Sequence, residues 1–567
     1  MRRRYLFVLA LLAVLVVLPL GAATENINYA DINKIKAEGM QRSQVMELNS
    51  WLADVYAPRL TGSPMVEKAA NWVVGKLKEW GLANARLEPW ENRNGFERGW
   101  TNDKFYMAAV APDRFPIPGT PTAWTPGTTG LVTGEAALMT ATFQGDLAKY
   151  QQELAAYKGK LKGKWVMTQP VPDVPAMWQP QSTRYTDEQL VAMEGAPQQP
   201  EFGVATPGGG RQGGGGRQGG PGQPVDRQAM QAANDARDAL YRSEGVLGLI
   251  STAPRGHGIY TIGGNRSADP ATTLPGIVIP AEQYGRIGRM LAKNIAVTIE
   301  ADIRNTYYPN PPVFNVVGEI PGTDKADEVV MLGAHLDSWH AATGAADDGN
   351  GVAAMMEAVR ILKATGVKLR RTVRVGFWEA EEQGLIGSRE YVSMHFATRQ
   401  APPAQPGQAP AAGRGGGGRG GFGGPQGPLQ VKADYDKLAA YFNIDNGTGA
   451  LRGIYTQGNE AVVPIFREWL EPFRSLGMTT VTTRNTGGTD HQSFDAVNLP
   501  GFQFIQDTIE YNTIVHHTNL DTYERLQPRD NMQMATIVAG FAYLAANRDD
   551  KLPRKPVAAP PTRPTLH

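Results

Sequence analysis

The chain has 567 residues, with 56 Lys and Arg against 55 Asp and Glu and a net charge of +1, a length that suits two or three domains better than one core. Without the three arginines at positions 2–4 the charge is −2, which excludes a general nucleic-acid or membrane-surface binder. There is no cysteine, so disulfides, thiolate metal sites and a cysteine nucleophile are excluded.

Residues 1–23 read as a signal peptide: Arg2-Arg3-Arg4, an apolar run from Tyr5 to Leu20, then Gly21-Ala22-Ala23. The run is short for a span of about 20 residues, so a soluble exported protein is expected, periplasmic or secreted, without stable membrane insertion. Residues 24–119 open the main domain. Val45, Leu48, Trp51, Leu52 and Val55 recur at helical spacing, as do Ala69, Trp72, Val73, Leu77 and Trp80. Arg59 to Ser63 is a turn between them, able to cap the second helix. Residues 84–110 read as strands, with Leu87 and Trp90 near Phe105 and Met107.

Residues 120–295 have another texture, of short apolar runs separated by Gly and Pro. They read as a smaller β-rich α/β module inserted into the main domain, without clustered metal ligands; His257 is isolated there and carries no role. The glycine-rich stretches 203–224 and 400–428 hold only a few arginines (Arg211, Arg217, Arg414, Arg419). They read as flexible surface loops rather than nucleic-acid tails.

From 296 to 548 strands and helices alternate. Strands are expected at 313–320, 329–333, 372–378, 438–444, 479–483 and 502–506. Helices are expected at 351–364, 385–394, 461–475, 491–497 and 528–546. This is an α/β pattern: a mostly parallel, mixed central sheet with helices on both faces. The tail 549–567 is Pro-rich and extended.

The stretch His335–Asp348, HLDSWHAATGAADD, concentrates the chemistry. His335, Asp337, Asp347, Glu381, Glu382, Asp445 and His517 all fall in loops just past predicted strands, and such sheets bind ligands at the carboxyl ends of their strands. Zinc favours imidazole and carboxylate donors with one open position. His335 and His517 could each serve one of two metals, Glu382 and Asp445 could each add a carboxylate, and Asp347 could bridge. Asp337 could accept the free N–H of His335. Glu381 is then left as a general base.

HLDSW, GAADDGNGVA, WEAEEQGLIGS, NIDNGTG, GGTDHQSF and VHHTNLDTYE resemble, in order and spacing, the co-catalytic di-zinc peptidases of zinc metallopeptidase family 28. The resemblance covers about 310–545 well and 41–90 more loosely; the texture of 486–525 is closest to the plasma glutamate carboxypeptidase branch. It implies the zinc exopeptidase fold and two zinc ions per chain. It implies ligands at His335, Asp347 (bridging), Glu382, Asp445 and His517, and Glu381 as base. The family's spacing to an Asp-Thr pair, here Asp521-Thr522, selects His517 over His516. His516 or His491 is a candidate for stabilising the oxyanion. A cis peptide at Asp347–Asp348 is implied, and the inserted module resembles a protease-associated domain.

The implied activity is exported, zinc-dependent hydrolysis of peptides at a chain end, with aminopeptidase and carboxypeptidase or dipeptidase both open. A homodimer is open too. Arg389, Arg452 and Arg484 are candidates for meeting a substrate carboxylate. Two competing readings are a single-zinc glutaminyl cyclase and a peptide binder without hydrolysis. His340 gains no ligand role and is expected at the solvent or facing substrate.

Overall fold

A computed structural model of the protein describes residues 25–195, 227–399 and 427–556. The expected signal peptide, the stretch 203–224, nearly all of 400–428 and the end of the tail lie outside the described residues.

The strand Lys325–His335 runs through the centre of an eight-stranded sheet. Its apolar run alternates between two cores, as the two-residue period of a strand requires. Val330, Leu332 and Ala334 join the larger core, with the helices Asn350–Thr365 and Pro528–Asn547. Val329 and Met331 face Trp378, Tyr391, Val392 and Phe494 on the other side. Gly333 is required by a close approach, since a Cβ there would lie 2.3 Å from the Tyr441 hydroxyl.

The strand order is Ala83–Pro89, Phe314–Ile320, Arg371–Trp378, Lys325–His335, Leu438–Asn443, Gly501–Gln506, Leu451–Tyr455, Thr480–Thr482. The four strands from Arg371–Trp378 to Gly501–Gln506 are mutually parallel. Antiparallel pairs flank them, so the sheet is mixed, with helices on both faces as the sequence predicts. Leu451–Tyr455 is a strand that the sequence pattern did not reveal, and the helix expected over 461–475 turns into a 3-10 segment at Glu471–Leu476.

Between Ala83–Pro89 and Phe314–Ile320 the chain leaves this sheet and builds a second one of eight strands. Its stem is a long antiparallel ribbon of Arg98–Ala111 against Thr298–Pro309. Leu87 therefore packs on the first core while Phe105 and Met107 pack on the second, correcting their expected proximity. Trp90 joins Phe96, Trp100, Trp124 and Leu60 in an aromatic cluster where the two units meet. No helix among the described residues is long and apolar enough to cross a membrane.

Candidate metal centre

His335 is the last residue of its strand, and its ring is fully buried. Its Nε2 lies 3.2 Å from Asp347 Oδ1 and 3.7 Å from Asp445 Oδ1. Asp445 follows the next parallel strand, Leu438–Asn443. On the other side of Asp347, Oδ2 lies 3.4 Å from His517 Nε2, which in turn approaches Glu382 Oε2 to 2.8 Å. Asp347 thus faces two donor sets with its two oxygens. The Asp347–Asp348 peptide is cis.

The second position holds both neighbouring histidines. His516 Nε2 lies 3.9 Å from Asp347 Oδ2, and its ring stacks on Tyr511 and against His517. His517 has the shorter approach and alone meets Glu382. Tyr511 donates its hydroxyl to Asp445 Oδ1 at 3.3 Å.

Both Glu382 oxygens and Asp347 Oδ2 are buried without a hydrogen-bond partner, with the ion-pair approach of His517 Nε2 to Glu382 Oε2 and Asp347 Oδ2 beside them. Buried polar atoms rarely stay unpaired, and the donor types are those zinc takes. The charges agree. Burial pushes Glu382 up to about 7 and raises Asp445 and Glu381 above their ordinary values. Burial also opposes the Asp347 charge, but the His335, His517 and His516 rings outweigh it and hold its carboxyl below the usual carboxylate range. Burial disfavours charged His517, yet Glu382 and Asp347 draw it up to about 9. So many buried carboxylates fit divalent cations at these donors.

A polar scaffold fixes the loop. His335 Nδ1 lies 3.0 Å from the Asp337 carbonyl and 3.6 Å from Asp337 Oδ1. Asp337 also accepts from Thr61 Oγ1 at 3.0 Å and from the Glu381 amide at 3.1 Å. Asp348 accepts from the His335 and Gly351 amides, which ties the strand end to the start of the following helix.

Two residues essential to this scaffold had no such role in the sequence reading. Arg59, in what read as a helix-capping turn, is fully buried and donates to the Leu336, Thr343 and Gly344 carbonyls. Asp521, used only as a spacing marker for His517, accepts from the Ala346 and Asp347 amides at 2.6 and 3.1 Å. The remaining candidates go elsewhere. His491 is buried with Nε2 at 3.0 Å from both the Gln457 amide and the Thr486 carbonyl. His340 is not at the solvent: its Nε2 meets the Pro121 carbonyl at 2.7 Å, its ring sits edge-on to Trp100, and burial lowers it to about 4. Arg452 pairs with Asp507, Arg389 is exposed, and Arg484 is half-buried.

Fold and donor set together make an α/β domain whose parallel strands end at residues of the types that hold divalent metals. Residues 315–542 match the family model described as Peptidase family M28, and the chain carries a domain of that family. Carboxypeptidase Q from Mus musculus is 28% identical over 286 residues, 50% of this chain and 53% of that protein. The Homo sapiens protein of the same name is 26% identical over 331 residues, 57% of this chain and 62% of its own. The chain thus spans between about half and just under two thirds of these curated relatives. Among solved structures, a Peptidase M28 precursor from Shewanella amazonensis shares the fold, with a TM-score of 0.61, 21% identity and coverage of 93% of this chain and 99% of that one. BSAP, a zinc aminopeptidase from Bacillus subtilis, gives a TM-score of 0.51 at 16% identity, covering 88% and 94%.

Proposed function

We propose that the protein is an exported zinc-dependent exopeptidase that removes residues from a peptide chain end, and that it holds two zinc ions. The observation that carries this is Asp347, whose two oxygens face His335 with Asp445 on one side and His517 with Glu382 on the other. We assign His335, Asp347, Glu382, Asp445 and His517 as the ligands. Zinc supplies Lewis acidity, which makes water acidic enough to deprotonate near neutral pH and polarises the scissile carbonyl.

The chain's own residues do the rest. Glu381 is buried beside the ligand set without a ligand role, so it takes the proton from the attacking water and passes it to the leaving amine. Asp337 orients His335 and, through its bond from the Glu381 amide, the base as well. Tyr511, bonded to Asp445, and His516, beside Asp347, lie at the ligand set and are the candidates for stabilising a developing oxyanion. His491, tied to Gln457 and Thr486, is a weaker candidate for that role.

The curated relatives named carboxypeptidase Q favour action at a free carboxyl end. We read the second sheet unit, which takes in Arg98–Ala111 and Thr298–Pro309 beyond the expected bounds 120–295, as the protease-associated-like module. A panel of free, N-blocked and C-blocked dipeptides, assayed before chelation, after it and after zinc is restored, tests the assignment. Hydrolysis should vanish on chelation and return with zinc. Hydrolysis indifferent to chelation sinks the metal reading, and binding without hydrolysis under every condition sinks the peptidase reading.

A further inference from the structure

The loop from Asp507 to Asp521 carries Tyr511, His516 and His517, yet much of what holds it belongs to the second sheet unit. At its start, Thr183 pairs with Ile509 as an isolated bridge. Arg184 forms ion pairs with Asp507 at 3.0 Å and Asp530 at 2.7 Å, and Thr513 Oγ1 donates to the Gln181 carbonyl. At its end, Thr261 pairs with Thr518, and the Ile262 amide donates to the His517 carbonyl at 2.8 Å. Asn519 closes this second grip. Its Oδ1 accepts from the Tyr260 amide at 2.9 Å, its Nδ2 donates to the Gly258 carbonyl at 3.2 Å, and its own amide donates to the Tyr260 carbonyl at 3.4 Å.

The grip lands where the backbone needs it. His517 has φ +54°, in the left-handed region. That conformation is disfavoured for a residue with a Cβ, and it persists where surrounding contacts over-determine it. Within the loop, the residues on either side are tied: the His516 amide donates to the Tyr511 carbonyl at 2.9 Å and the Thr518 amide to the Val515 carbonyl at 3.1 Å. The bond on the His517 carbonyl itself comes from outside the loop, from Ile262, with Asn519 fixing the same segment.

We infer that the second sheet unit is a positioning element of the metal centre: its segment Gly258–Ile262, locked by Asn519, holds His517 in its ligating conformation, so that docking of this unit and occupancy of the second metal position stabilise each other. This rests on the reading of His517 as a zinc ligand. Because binding free energies are reciprocal, a grip that tightens metal binding must itself be tightened by metal. Asn519 is a positioning residue; it touches neither the other ligands nor the reacting atoms.

The test uses the full chain, stripped of metal and titrated with Zn2+ by calorimetry, with bound zinc counted by elemental analysis. The wild-type chain is expected to take two ions. Asn519→Ala should keep one site unchanged and bind the other about 10- to 100-fold more weakly, the usual effect of losing a group that orients a ligand. Amide hydrogen exchange on the wild-type chain supplies a second readout that needs no variant. Exchange at Tyr260 and Ile262 should slow on zinc loading, although neither residue contacts the metal. Two zinc sites of unchanged affinity in Asn519→Ala overturn the inference and leave the two-zinc reading intact. Exchange at Tyr260 and Ile262 that ignores zinc overturns it even if the variant does not fold. A wild-type chain that takes up no zinc overturns the two-zinc reading, and this inference with it.

Discussion

Replacing Arg59 with Met removes the post on which the metal loop is built. The guanidinium is fully buried and donates to the carbonyls of Leu336 at 2.7 Å, Leu52 at 2.8 Å, Gly344 at 2.8 Å and Thr343 at 3.1 Å. Burial lowers it to about 10, while Asp521, Asp337, Asp348 and Asp347 favour its charge. Each buried carbonyl left without a donor costs about 1–3 kcal/mol, though such costs are not additive. Removing one partner from a buried set of charges costs about 3–5 kcal/mol. Met fills most of the space but supplies neither bonds nor charge, so a loss of about 3–5 kcal/mol is expected. Urea unfolding of the two proteins, stripped of metal and zinc-loaded, measures it. Zinc offsets the lost charge but not the lost carbonyl bonds, so the loss should persist in the loaded protein and be smaller there. A loss under about 1 kcal/mol in both states, the size of an ordinary exposed pair, would refute the reasoning.

Asp337→Asn keeps the shape and the backbone carbonyl bond to His335 Nδ1 but removes the carboxylate charge that lies 3.6 Å from that nitrogen and accepts from the Glu381 amide. Zinc affinity should fall about 10-fold with folding stability little changed, as calorimetry and urea unfolding can check. Glu379 accepts from the Gly62 and Phe314 amides, and burial raises it from its ordinary value of 4.5 to about 8. A carboxyl raised in the folded state binds a proton there that the unfolded chain has released. Its contribution is therefore full below about pH 4.5 and is lost as pH rises through about 8. Glu379→Gln does not titrate, so its stability should change less than that of the wild type between those limits. Urea midpoints at both ends that move equally in the two proteins contradict this.

What was legible in the sequence follows from what each residue needs locally. Val329 to Gly333 read as a buried strand because a strand covered on both faces must be apolar at every position, and the structure splits those residues between two cores. The gathering of His335, Asp347 and Asp445 followed from placing each just past a strand, since parallel neighbours deliver their ends to one rim. Leu451–Tyr455 was missed because Arg452 and Gly453 interrupt its apolar pattern. Gly453 is nonetheless required there, since a Cβ would lie 2.0 Å from the Thr480 carbonyl oxygen. Arg59 and Asp521 were illegible as scaffold for a different reason. Arg59 meets Leu336 and Gly344 at separations of 277 and 285 residues, and such contacts leave no trace in local periodicity. His340 reads as a loop histidine, but its place is set by Pro121 and Trp100 from the second sheet unit, whose docking no local pattern announces.

In the proposed mechanism Glu381 moves a proton in a zinc-dependent hydrolysis while five other residues hold the metals. Glu381→Gln in the full chain tests it most directly, with bound zinc and dipeptide turnover measured on the same sample. The variant should hold two zinc ions per chain, as the wild type should, with turnover reduced by about 100-fold or more, the share a positioned base contributes. Unchanged turnover of every cleaved peptide with zinc still bound would contradict it.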